Sequence, residues 1–257
     1  MSRYLLSMIL LLSFILVNAQ VPKGEIIQIE PYFPLKKELK YHVSVICDQE
    51  PKRTKCKKLE YDLYIEYLYK IGKIYQYKIA FRNIKGSKES KDILNNISKF
   101  SFEITTDAQG NYLQLTNWDY IETTFIQYTN FKDKNAIEKT LKHLVAQLFF
   151  LYGKEVSDTA PITYLSPIIV NEDFYLDGES NIQIVENEND VILIKSIDQV
   201  TFESDLTKIK VTDAEIEKNY LYDTSKKLLL LIRVESVFKN MNNAVKFVRT
   251  MELIEEK

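Results

Sequence analysis

Two histidines, two cysteines and a few knots of charge are what this chain of 257 residues offers to chemistry. A nucleophile activated by a general base needs an imidazole within hydrogen-bond reach of an orienting carboxylate. His42 falls in the first strand-like run and His143 on the polar flank of a helical stretch, and neither has a local partner of that kind. Both are expected at the surface or the rim. A metal centre wants clustered ligands, and two widely separated histidines do not supply them. There is no glycine-rich phosphate loop, no nucleophile elbow and no paired histidines on a helix. The acidic stretches Glu186-Asn187-Glu188-Asn189-Asp190 and Glu172-Asp173 with Asp177-Gly178-Glu179 lack the alternating ligands and closing bidentate Glu of a calcium loop. Both read as solvated turns. The sequence therefore predicts no catalytic residue, no metal and no cofactor. Paired glycosidase carboxylates are recognisable only by their separation in space, which leaves a hydrolase as an alternative.

Cys47 and Cys56 flank the polar run from Asp48 to Lys55, and each adjoins a strand-like segment. The pair would sit across the mouth of a hairpin. In an exported protein, cysteines so placed read as one disulfide. A loop this short gains about 2–3 kcal/mol in the chain-entropy model. Lys52, Arg53, Lys55, Lys57 and Lys58 crowd the same hairpin, and Lys36, Lys37 and Lys40 approach it in sequence. Such a basic patch suits anionic lipid headgroups or an acidic partner. The plainer reading is a lysine-rich edge that keeps strands from pairing between molecules.

Export itself is read from the first residues. Arg3 is followed by an apolar run from Leu5 to Val17, and Val17-Asn18-Ala19 places small residues before Gln20. That is the pattern of a cleaved signal peptide covering 1–19, too short to span a bilayer, where roughly 20 apolar residues are needed. Position 20 is Gln and not the Cys that lipidation requires. No later run reaches transmembrane length, so the expectation is an exported protein, periplasmic or extracellular. With 34 Lys and Arg against 36 Asp and Glu, a formal net charge of −2, the chain lacks the concentrated basic surface that nucleic acid demands.

The elements that must position these groups are mostly strands. Tyr61, Leu63, Ile65, Tyr67 and Tyr69 alternate with more polar neighbours, turn at Ile71-Gly72-Lys73, and return through Tyr75, Tyr77, Ile79 and Phe81. Phe100, Phe102 and Ile104 begin a further strand that turns at Asp107-Ala108-Gln109-Gly110. The period then becomes helical. Helices are predicted near 117–129, with Thr116 and Asn117 as N-caps, and near 134–152. The second carries an Ile137, Leu141, Leu144, Leu148, Leu151 stripe and ends at Gly153. The last third is again a meander, with Pro161 to Asn171 as an edge strand before it. The expected fold class is mainly β (α+β). It is a curved antiparallel meander or half-barrel with a helical insertion on one face, in one domain over 20–257.

The signal end Asn18-Ala19-Gln20, the Tyr-rich hairpins, the Phe102-to-Trp118 turn and the Leu148-to-Gly153 helix end resemble uncharacterised exported proteins of Gram-negative bacteria. The order of elements also resembles the lipoprotein-carrier superfamily of periplasmic half-barrels. That resemblance implies a curved sheet lidded by helices over an apolar cavity. It makes Leu141, Leu144, Leu148 and Leu151 candidates for the lid, and Tyr75, Tyr77, Phe100 and Phe102 candidates for the ligand-facing sheet. Three functions follow: a carrier of an apolar or lipid-like ligand, a cell-envelope interaction protein with a filled core, and the hydrolase already mentioned.

Overall fold

A computed structural model describes residues 24–30, 37–50, 58–86, 98–128, 134–171, 174–200, 213–239 and 244–256. The signal segment and Lys36, Lys52, Arg53, Lys55, Cys56 and Lys57 lie outside them.

The described fold is mainly β. From the centre outward, β2 (Glu38–Glu50), β3 (Leu59–Ile71), β4 (Ile74–Lys85), β5 (Ser101–Thr106) and β6 (Tyr112–Leu115) form one antiparallel meander. A second meander runs inward through β8 (Ile162–Asn171), β9 (Phe174–Glu188), β10 (Val191–Val200), β11 (Asp213–Asp223), β12 (Leu228–Lys239) and β13 (Ala244–Glu256). The two join where β13 pairs with β2, Met251 opposite Val43. The result is one curved sheet of eleven strands, open between its edges β6 and β8. A small second sheet pairs β1 (Ile26–Gln28) with β7 (Glu155–Ser157).

Alternation fixes which face is buried. Leu63, Ile65 and Tyr67 of β3 stand beside Phe81, Ile79 and Tyr77 of β4, and all six are buried. Glu66 and Lys78 occupy the opposite face as an ion pair of 3.4 Å. The chain leaves the sheet at one edge and re-enters it at the other, so it must cross a face. The helices α1 (Trp118–Tyr128) and α2 (Lys134–Leu148) make that crossing. At about 1.5 Å per residue α2 is about 22 Å long. Its apolar stripe packs onto the inner face in the same buried cluster as the sheet residues. β8, at the edge, accommodates Pro167, where no further strand among the described residues needs its missing N–H.

Two local expectations are corrected. Asn117 does not cap α1 with its side chain. Its Oδ1 accepts the Glu103 N–H at 2.9 Å, and its Nδ2 donates to the Ser101 carbonyl at 2.9 Å. Thr116 Oγ1 likewise donates to the Glu103 carbonyl. These side chains satisfy the exposed backbone of β5 where β6 ends.

Helix α2 also stops at Leu148 and not at 152. Beyond it Phe149, Phe150, Leu151 and Tyr152 are all buried, so the apolar positions no longer trace one stripe. The chain tightens into turns, Tyr152 N–H to the Phe149 carbonyl and Lys154 N–H to that of Leu151. Gly153, with φ of 74°, then donates to the Ile29 carbonyl while Ile29 donates to that of Lys154. The Phe149 turn seats against the β5–β6 hairpin at Gly110. A Cβ there would lie 2.5 Å from Phe149 Cβ, and its φ of 79° also favours glycine.

Candidate functional site

The structure brings Leu141, Leu144, Leu148, Leu151, Tyr75, Tyr77, Phe100 and Phe102 into one buried cluster. Little space is left among them. Tyr77 stacks on Phe149 at 4.9 Å and Phe149 on Tyr152 at 5.1 Å. The gap bordered by Tyr67, Tyr77, Leu148 and Phe149 measures about 20 Å³. That is room for about one water molecule. Helix α2 fills the apolar half of the inner face.

The other half differs. Along the inner face the registers align Ser180 with Asp198 and Ile216, and Ser196 with Lys218, Val234 and Arg249. Polar side chains thus enter the buried phase of three adjacent strands. Asp198 is 2% exposed and receives Ser180 Oγ at 2.8 Å and Ser196 Oγ at 3.1 Å. Lys218 Nζ lies 2.6 Å from its other oxygen. A cavity of about 160 Å³ lies beside this cluster and the 149–154 turn. Its walls include Phe149, Phe150, Leu165, Ile216 and Val234, with Gln109, Asn111, Gln147 and Ser236 between them.

Lys154 enters the cavity from the turn. Its ammonium donates to the Phe150 carbonyl and sits 4.2 Å from the centre of the Phe150 ring, while Lys218 sits 4.1 Å from the same ring. A ring contributes about 2 kcal/mol or somewhat more to a desolvated cation, whereas burying an ammonium costs several kcal/mol. Burial, then the charge of Lys218, pushes Lys154 down to about 8. Burial, and after it the charge of Asp198, holds the Tyr220 hydroxyl well above its usual value.

A stability profile follows. The unfolded chain keeps the Lys154 proton up to about 10.5, so between pH 8 and 10 it binds more protons than the folded chain. Stability should rise across that window by about 2 kcal/mol, with the burial cost fully present below it. Above pH 10 the tyrosines that burial raises, Tyr220, Tyr77 and Tyr112 among them, reverse the slope. Urea melts at pH 7.5 and pH 9.5 measure the rise, and Lys154→Met should flatten it. An unchanged slope in that variant would contradict the assignment.

On the outer face His42 acquires the carboxylate that its sequence neighbourhood lacks. It is register partner to Asp62, with Nδ1 3.2 Å from Oδ1. Asp62 also receives Asn83 Nδ2 at 2.7 Å and Lys40 at 3.2 Å. These three donors, against the opposing cost of desolvation, hold its carboxyl below the usual range. Three donors on one carboxylate make a latch between strands. His143 is buried rather than at the rim.

Of the basic patch, Lys58 is described, paired with Glu60 at 2.5 Å. Cys47 lies on β2 opposite Phe247, and no free cysteine is found among the described residues. With Cys56 outside them, the pairing stays an expectation. Among the described residues no group of three or more His, Cys, Asp or Glu is placed to hold a metal ion. Nor is any helix there long and apolar enough to cross a membrane.

No family model matches the chain, and no curated protein matches it. Among solved structures it is similar to lipovitellin, in a structure described as "lipid-protein interactions in lipovitellin", with a TM-score of 0.53 and 9% identity. The match covers 88% of this chain and 26% of that one, so this chain spans about a quarter of its neighbour. The likeness is one of fold. Rv2717c from M. tuberculosis aligns over 86% of this chain and 92% of its own at 8% identity, but its TM-score of 0.27 is too low to indicate a shared fold.

Sequence reasoning missed Lys154, Lys218 and Asp198. The signal was there. The inward phase Ile192, Ile194 continues as Ser196, Asp198, and Ile216 and Tyr220 flank Lys218.

Proposed function

We propose that this chain is an exported binding protein that holds a small amphiphilic ligand between the 149–154 turn and the C-terminal half of its sheet. The observation carrying this reading is the cavity of about 160 Å³, apolar on its walls with polar groups converging on it. Apolar walls with a few placed polar groups are the usual make-up of a ligand site. The lipovitellin-like fold supports a lipid-like ligand, since that neighbour's description speaks of lipid–protein interactions. Export rests on the signal pattern at 1–19. A wide apolar tunnel beneath α2 is disfavoured, because α2 itself occupies that volume.

The same solid packing favours a second reading, an envelope protein with a filled core that acts through its surface. Native mass spectrometry of protein taken from the cells that make it separates the two. A bound mass of small-molecule size is expected. Protein alone would support the second reading, and a long-chain lipid would restore the tunnel.

A further inference from the structure

We propose that the ligand of this cavity is an oxyanion on a short apolar tail, a carboxylate or alkyl phosphate, received by Lys154. This rests on the binding reading above and names the class of ligand. The charge distribution is the first argument. The cavity holds two ammonium groups, Lys154 and Lys218, and one carboxylate, Asp198. Asp198 is already committed to Lys218 at 2.6 Å and to two serine hydroxyls. Lys154 has aromatic rings and a carbonyl beside it, Phe150 at 4.2 Å and Tyr164 at 5.7 Å, but no carboxylate partner among the described residues.

A third cation stands two strands further along the face. Arg249 donates to Gln147, whose amide lines the cavity, while its own buried Nε makes no hydrogen bond among the described residues. Buried charges are ordinarily paired, and here the missing partner is negative. The geometry of the rest sets the tail. A space of about 160 Å³ is close to that of an engineered cavity known to take benzene, about 150 Å³, so a tail of a few carbons fills it. The open polar cleft on the outer face, near Glu66, Lys78 and Asn83, offers no comparable excess, because its Glu66 and Lys78 pair with each other.

Calorimetric titration of the whole protein, dialysed free of small molecules, with hexanoate, hexyl phosphate and hexanol at pH 7 tests the assignment. At least one anion should bind ten-fold or more tightly than the alcohol. Lys154→Met should erase that preference and Lys154→Arg should keep most of it, with circular dichroism confirming that both fold. Equal affinity for the alcohol and the anions would overturn the anionic assignment while leaving the binding reading intact. No heat from any of the three would overturn the assignment too, and the binding reading falls separately only if the native mass shows protein alone.

Discussion

Replacing Lys218 by methionine is expected to destabilise the protein by about 3–5 kcal/mol, the usual cost of leaving one member of a buried ion pair without its partner. For a chain of this size that lowers Tm by about 10 °C. The Asp198 side chain is fully buried, and Lys218 is its only cationic partner among the described residues. Ser180 and Ser196 would still donate to it, but two neutral hydroxyls do not neutralise a carboxylate. Adding Asp198→Asn removes the charge while keeping an acceptor for the serines. The double variant should therefore be more stable than Lys218→Met alone. Urea melts of the two single variants and the double give the coupling directly. A Lys218→Met cost below about 1 kcal/mol would mean that water reaches Asp198 and that the cavity is not a covered site.

The second large effect concerns α2. Leu141 is 1% exposed in the centre of the stripe that meets the sheet. Leu141→Ala should cost about 2–5 kcal/mol through lost burial and the cavity left behind. A lid that opens to admit ligand would respond differently, since its local opening is separate from global unfolding. In the packed arrangement α2 amides exchange with solvent only as slowly as those of β3 and β4. Hydrogen exchange across both segments measures this. Exchange of α2 orders of magnitude faster than that of the sheet would make it a lid.

How much of this was legible beforehand depends on the range of the interactions. The meander could be read because Tyr61 to Tyr69 and Tyr75 to Phe81 carry a period of two that register pairing merely completes. The α2 stripe was legible for the same local reason, though its end was not. The helix stops where the Gly153–Lys154 backbone finds Ile29, a partner more than a hundred residues earlier. The His42–Asp62 contact is cross-strand, and only the β2–β3 register discloses it. The cavity was hidden more deeply. Lys154, Asp198 and Lys218 come from a turn and two strands, and each alone looks like an ordinary surface charge. The residues chosen from sequence were apolar and did gather in one place, but gathering there means filling the core, and the space lies beside it.

The central claim is that a small ligand occupies the space beside a fixed α2. A crystal structure of the protein isolated without refolding from the cells that make it is the most direct measurement. Density is expected for a short molecule with its polar head against Lys154, with Leu141 and Leu148 in place on the sheet. Extended acyl density where α2 now lies, or a cavity holding only ordered water, would contradict it.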